Sequence, residues 1–260
     1  MSEYLTAALL CLAVRHRFTL AGKTIGVIGV GNVGRLVVRK AEALGLTVLQ
    51  NDPPRQRAES GGAFVSLDRV LAESDIVTMH VPLTAKGPDP TRNMADAAFF
   101  ARMKPGCVFV NAARGGVVVT DALLAAMDRG AVAHAVIDCW EGEPAFRLDM
   151  LKRADLATPH IAGHSFEGKV MGTVIVYREA CRFLGVAPSW SHEPLMPPPL
   201  APALTVRAAG RPVEAVLRDL VRPVYDIEAD DARLRAAAVT DDKARAAHFD
   251  RLRKRYPMRR

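Results

Sequence analysis

The sequence predicts an α/β fold: a doubly wound parallel sheet followed by a smaller C-terminal α+β unit. Three observations carry that expectation. Short β-branched runs alternate with amphipathic stretches between residues 24 and 158, the order of a parallel sheet with crossover helices. A glycine-rich turn, Gly29-Val30-Gly31-Asn32-Val33-Gly34, joins the first such run to the first long amphipathic stretch after it. Six prolines between Val186 and Pro202 then read as a linker, beyond which the chain becomes charged.

Taken in order, residues 1–16 repeat apolar side chains at helical spacing with no basic segment ahead of them. An amphipathic helix is therefore expected there, not a leader peptide. Thr24 to Ile28 is a strand, and Lys23 to Asp52 closes one βαβ unit carrying the dinucleotide fingerprint. Gly29 permits the tight turn, Gly31 lets the backbone approach a pyrophosphate, and Gly34 lets the helix pack closely. The helix N-terminus offers unpaired N–H groups to the phosphates. Asp52, eighteen residues past Gly34, is placed to accept from ribose hydroxyls, which favours NAD over NADP.

Pro53-Pro54 stops the second strand. A short helix over Leu67 to Ala72, capped by Ser66, leads to a strand over Ile76 to Met79. The stretch from His80 to Asn93 is irregular. A helix near Ala95 to Arg102, a buried strand over Cys107 to Asn111, and a helix from a Thr120/Asp121 cap to Arg129 follow. Ala133 to Asp138 and Leu156 to Thr158 complete the sheet, and a long helix runs from about His164 to Leu184. The last region holds a short apolar stretch (Leu204 to Val206) and helices near Pro212 to Val224 and Asp230 to Tyr256.

The bulk numbers describe an ordinary globular chain: 260 residues, 50% hydrophobic and 24% charged. No apolar run reaches the length of a membrane span. The four cysteines (Cys11, Cys107, Cys139, Cys181) form no CxxC pair, the usage of a reduced cytoplasmic protein without a zinc or disulfide framework. Net charge is +7, but acids interleave the basic C-terminal region; a solvated basic surface is expected, and no nucleic-acid partner.

Parallel sheets gather ligands at the carboxyl ends of their strands. The polar residues there are Asp52, His80, Asn111 with Arg114, Asp138 with Glu143, and His160. Hydride transfer between a nicotinamide and a hydroxy acid needs a cation for the substrate carboxylate, a group titrating near neutrality, and a carboxylate to fix that group's tautomer. Arg114, His160 and Glu143 are the respective candidates. Each has a plain structural alternative: a turn residue, a turn cap and a loop acid. His160, His164 and Glu167 could share an ion only on one helix, and Pro159 and Gly163 argue that His160 lies ahead of it. No metal is expected.

The motifs GVGNVGR, NDPP, HVPLT, KGP, NAARGG, DCWEGEP, TPHIAG and EGK, in that order, resemble the D-isomer-specific 2-hydroxyacid dehydrogenase superfamily. The likeness runs through nearly the whole chain. Within the superfamily, NDPP, WEGEP, HIAG with EGK, and the C-terminal VYDIEADDARLR are similar to a branch acting on a small phosphorylated hydroxy acid, 4-phosphoerythronate. The resemblance implies a Rossmann NAD-binding domain over residues 17–185, a domain-crossing helix over 1–16, a Pro-rich linker over 186–202, and a dimerisation domain over 203–260. It implies an NAD-dependent enzyme and a homodimer. Arg114, Glu143 and His160 match the catalytic triad, with His160 moving the proton. Gly29, Gly31, Asn32, Val33 and Gly34 match the pyrophosphate turn, and Asp52 the ribose acid. Val81, Ala112, Ala113, Arg114, Asp138 and Gly163 match further NAD contacts, Asp138 at the nicotinamide amide. His164 falls where the branch has a substrate-contacting tyrosine, beside Arg114. The family's front segment, which forms most of its substrate domain, has no counterpart in this chain. Two readings follow: a dehydrogenase of 4-phosphoerythronate or another D-2-hydroxy acid, or an NAD-binding and dimerising module impaired in catalysis.

Overall fold

The computed structural model describes residues 1–59, 63–198, 203–236 and 241–257. Six strands form one sheet: β1 (Thr24–Ile28), β2 (Thr47–Asn51), β3 (Ile76–Met79), β4 (Cys107–Asn111), β5 (Val132–Ile137) and β6 (Leu156–Ala157). Their order is β2-β1-β3-β4-β5-β6, every neighbouring pair parallel. The sheet is doubly wound, as expected, and the winding reverses between β1 and β3. That is the topological switch point, where such folds open a crevice for a ligand. The central strands β3 and β4 are buried at every residue, which explains their continuous rather than alternating hydrophobicity.

The helices are α1 (Ser2–His16), α2 (Gly34–Ala43), α3 (Pro53–Ala58), α4 (Leu67–Glu73), α5 (Ala97–Ala101), α6 (Thr120–Asp128), α7 (Leu148–Arg153), α8 (Phe166–Leu184), α9 (Val213–Val221), α10 (Ile227–Arg235) and α11 (Asp242–Lys254). Two hydrophobic cores result, one on each face of the sheet. The first joins α1 and α2 to one face and takes in Tyr225 and Ile227. The second gathers α4 to α7 on the other face with Leu234 and Phe249. Phe99, Phe100 and Phe109 meet there edge to face with centroids 5.2–6.3 Å apart, each pair adding about 0.5–1.5 kcal/mol beyond its buried area. None of the helices among the described residues is long and apolar enough to cross a membrane.

Several local expectations are corrected. Pro53-Pro54 ends β2 but also opens α3, whose N-cap is Asp52; proline suits a first helical turn because its missing N–H would be unpaired there. No side chain of Thr120 or Asp121 caps α6. Instead the Glu141 carboxylate accepts from the Thr120 N–H at 2.8 Å. The long helix starts at Phe166, capped by Ser165, whose hydroxyl accepts from the Gly168 N–H. α7 was not anticipated. The C-terminal region is helical rather than α+β: among its described residues there are three helices and no strand, and Leu204 to Val206 is irregular. Parts of the expected linker (199–202) and of the C-terminal unit (237–240 and 258–260) lie outside the described residues.

That C-terminal region lies against the sheet domain. α9 and α10 pack on α1, and α10 packs on β6. β6 is an edge strand of two residues, and Asp231 Oδ1 accepts from its Ala157 N–H at 2.7 Å. Arg235 pairs with Asp231 at 2.8 Å and donates to the Leu151 and Ala154 carbonyls at 2.6 and 2.7 Å, covering the end of α7. A side chain thus occupies the edge that another strand could otherwise extend.

Candidate active site

The glycine turn is built by steric necessity. Gly29 holds φ +87°, and a Cβ there would lie 2.8 Å from the His80 backbone. A Cβ at Gly34 would stand 2.2 Å from the Gly29 carbonyl oxygen, so Gly34 lets the helix close onto the turn itself. Gly31 faces open space, with nothing within 4 Å of where its Cβ would be. It is spared a side chain for the sake of what comes near the backbone. α2 starts behind Val33 with no side-chain cap, which leaves the helix N-terminus available to phosphate. Asn32 is exposed and accepts from Arg35 at 2.6 Å.

Asp52 is tied into this turn. Its Oδ2 accepts from the Val30 N–H at 2.8 Å and its Oδ1 from the Arg55 N–H at 3.0 Å. Each oxygen keeps acceptor capacity for a ribose hydroxyl. The crevice beside it, lined by Gly29, Gly31, Asp52, Val81, Pro82 and Thr84 among others, encloses about 450 Å3. An open Gly31, an uncapped helix and an acid at the crevice wall fit a dinucleotide.

His80, at the end of β3, also lines the crevice. Its Nε2 meets Thr78 Oγ1 at 3.0 Å, while Nδ1 is buried with no hydrogen-bond partner among the described residues. Burial, with a small contribution from the chain's N-terminal charge, lowers its pKa from 6.5 to about 4, so it is neutral at pH 7.

The catalytic candidates stand at the ends of β4, β5 and β6. Glu143 and His160 meet directly: His160 Nδ1 lies 2.5 Å from Glu143 Oε1. Glu143 Oε2 accepts from the Trp140 N–H at 3.0 Å. Burial would raise the Glu143 carboxyl, but the His160 hydrogen bond, the Trp140 N–H and the nearby charges of His160 and Arg253 hold it below the usual value. A carboxylate so held accepts a hydrogen bond donated by Nδ1–H, which leaves the ring's lone pair on Nε2.

His160 lies ahead of α8, at φ +55°. Asp138 holds that loop: its Oδ1 accepts from the Thr158 hydroxyl and the Ile161 N–H, both at 2.7 Å, and its Oδ2 from the Ala162 N–H at 3.0 Å. The Asp138 carboxyl is only 1% exposed, and burial raises its pKa despite those donors. It is a builder of the His160 loop before it is anything else, and its Oδ2 also faces the Cys139 thiol at 3.9 Å. Tyr4 of α1 meets the Thr158 hydroxyl at 2.7 Å; because Thr158 donates to Asp138, Tyr4 is the donor in that pair.

Arg114 follows buried Ala112 and Ala113 at the end of β4, and its side chain is exposed. Its guanidinium donates to the Ala113 carbonyl at 2.7 Å, and no hydrogen bond joins it to Glu143 or His160. The loop is pressed against the end of β5: a Cβ on Gly115 would lie 1.8 Å from the Trp140 carbonyl oxygen. Asn111 fastens both, donating to the Arg114 and Cys139 carbonyls at 3.2 and 2.9 Å. Gly163 is exposed beside Met1, and His164 meets Tyr256 edge to face at 5.9 Å. Sequence reasoning missed Tyr4, Thr158 and Arg253. Arg253 belongs to α11, and its charge, like that of Arg114, also acts on the Cys139 thiol. Nothing in local spacing points to any of the three.

Comparison with known proteins accords with this geometry. A family model described as D-isomer specific 2-hydroxyacid dehydrogenase, NAD binding domain, matches residues 13–162. A second, described as a domain of unknown function (DUF3410), matches residues 195–260. The chain is 45% identical over 266 aligned residues to erythronate-4-phosphate dehydrogenase of Salinibacter ruber, covering 100% of this chain and 68% of that protein. It is 45% identical over 258 residues to the protein of the same name from Edwardsiella ictaluri, covering 99% and 67%. Among solved structures, NAD-dependent formate dehydrogenase from Staphylococcus aureus in complex with NAD is 31% identical, with a TM-score of 0.54 over 67% of this chain and 52% of that one. A glyoxylate reductase from Paecilomyes thermophila is 29% identical, with a TM-score of 0.57 over 72% and 63%. The chain spans about two thirds of the length of the curated relatives it matches.

Proposed function

The chain belongs to the D-isomer specific 2-hydroxyacid dehydrogenases, and on that premise we propose that it oxidises 4-phospho-D-erythronate to 2-oxo-3-hydroxy-4-phosphobutanoate, a step toward pyridoxal 5'-phosphate. The observation that carries the reading is the 2.5 Å contact between His160 Nδ1 and Glu143 Oε1. It makes Nε2 a base on the ligand-binding edge of an NAD fold.

NAD is the cofactor and supplies the hydride acceptor. In this reading Gly29, Gly31, Asn32, Val33 and Gly34 hold its pyrophosphate and Asp52 its ribose. Val81, Ala112, Ala113, Asp138 and Gly163 would line the nicotinamide end, with Asp138 as the acid that would meet its amide. Arg114 swings from the Ala113 carbonyl to bind the substrate carboxylate and polarise the reacting oxygen. His160 Nε2 takes the 2-hydroxyl proton, and the Glu143 carboxylate balances the imidazolium that forms. A positioned acid–base group of this kind contributes about 10²–10⁴-fold. His164 donates to the substrate from the loop that precedes α8. Residues 17–185 act as the NAD-binding domain, 1–16 as a crossing helix, 186–202 as a linker, and 203–260 as the surface through which two copies pair. The four cysteines are free and buried, which suits a cytoplasmic enzyme.

Arg114, held on the Ala113 carbonyl and not on the Glu143–His160 pair, favours one other reading, an NAD-binding and dimerising module without turnover. Incubating the purified chain with NAD and 4-phosphoerythronate separates the two. NADH formation is expected. A chain that binds NAD with ordinary affinity yet forms no NADH with this or other D-2-hydroxy acids would leave only the module.

A further inference from the structure

A second cluster lies at the amino ends of the strands, across the sheet from the Glu143–His160 pair. His16 ends α1, His134 is the third residue of β5, and Asp155 immediately precedes β6. His16 Nε2 meets Asp155 Oδ1 at 2.7 Å, and His134 Nδ1 meets the same oxygen at 3.2 Å. The two imidazoles stack, with centroids 3.7 Å apart and planes 28° from parallel. The other Asp155 oxygen accepts from the Ala135 N–H at 3.0 Å, which fixes the carboxylate. Arg15 donates to the Asp155 main-chain carbonyl at 2.7 Å, and Glu228 opposes its charge at 3.2 Å. The dehydrogenase chemistry uses none of these groups.

One donor atom from each of His16, His134 and Asp155 lies within 4.8 Å of the other two, and all three side chains are half-buried. Two imidazole nitrogens and a carboxylate oxygen are a borderline-soft set that suits zinc, with water completing a tetrahedron. Metal–ligand bonds of about 2.0–2.1 Å give ligand–ligand edges of roughly 3.4 Å. To admit an ion Asp155 Oδ1 withdraws from His16 by less than about 1 Å, and the two stacked rings turn so that their nitrogens, no more than 4.8 Å apart, converge on the same edge length. A ring that ligates through the nitrogen now facing Asp155 carries its proton on the nitrogen facing away from the metal. The Ala135 N–H serves as the outer hydrogen bond that orients a ligating carboxylate.

We propose that His16, His134 and Asp155 form a zinc-type divalent cation site that fastens the end of α1 to β5 and β6. The ligands are separated by up to 139 residues in sequence, so they converge only in the folded chain and bound metal stabilises the fold.

The test uses the untagged chain, stripped with a chelator and titrated with Zn2+ by calorimetry and with Co2+ by visible absorption. One equivalent of Zn2+ should bind at micromolar concentration or tighter, with tetrahedral Co2+ bands and an unfolding midpoint raised by about 5 °C or more at saturation. His16→Gln and His134→Gln should each weaken binding at least about tenfold and erase the Co2+ bands, whereas His164→Gln should leave both unchanged. Asp155→Asn, nearly isosteric and still able to accept from Ala135, carries the test should a histidine variant fail to fold. The proposal is overturned if no Zn2+ binds below about 100 µM. It is equally overturned if binding survives in the three ligand variants.

Discussion

His160, the proposed base, sits on a backbone that a residue bearing a Cβ rarely adopts. Its φ of +55° costs of order 1–3 kcal/mol, and the Asp138 carboxylate on the next two N–H groups is what enforces it. His160→Gln should cut NADH formation by about 10²-fold or more while leaving NAD affinity, read by calorimetry, within a few-fold; lost NAD binding would mean that the ring supports the cofactor site. His80 gives a second prediction at this scale. Unfolded, it takes up a proton near pH 6.5; folded, it resists until about pH 4. The stability it confers is therefore complete above pH 6.5 and lost as pH falls toward 4, by up to about 3 kcal/mol. Urea unfolding across that window should show the loss in the native chain and a flatter curve in His80→Gln. The strand-end positions of Arg114, Glu143 and His160 were legible because short motifs mark them, and Glu143 does meet His160 there. Tyr4, 154 residues from Thr158, and Arg253 were not, because side chains from remote helices reach a site only after the whole chain has folded.

At the scale of elements, two glycines separate folding from binding. A Cβ on Gly115 collides with the backbone of Trp140, and backbone cannot rotate aside. Gly115→Ala should lower stability by about 1–3 kcal/mol or more, seen in thermal unfolding, and also reduce turnover by moving Arg114 away from the end of β5. Gly31→Ala should fold with an unchanged midpoint, because nothing stands near its Cβ, yet bind NAD more weakly. Equal effects on both properties at both positions would contradict this division. The sheet strands were legible from their buried β-branched runs, with β5 displaced by one residue. α7 was missed because it has six residues and no side-chain cap. The start of α6 was credited to the wrong cap because Glu141, which supplies it, arrives 21 residues later. Such a cap is a tertiary contact, invisible to local spacing.

For the whole molecule, the C-terminal helices pack into both cores of the sheet. They add Tyr225 and Ile227 to one core and Leu234 and Phe249 to the other. A linker rich in proline suggested a separate C-terminal domain, and composition alone gave no sign that the chain returns to seal β6. Asp231→Ala removes the acceptor of the Ala157 N–H and the partner of Arg235 together. It should cost about 1–3 kcal/mol, lowering the unfolding midpoint by roughly 3–10 °C; a variant as stable as the native chain would show the seal to be dispensable. The seal also sets a timetable. Asp231 lies 74 residues after Ala157, and at about 5–20 residues per second a ribosome needs roughly 4–15 s to make the intervening chain. For that interval the sheet of a nascent molecule ends in an open strand. Neighbouring chains on one message can meet edge to edge during it, and that opportunity closes once α10 reaches β6.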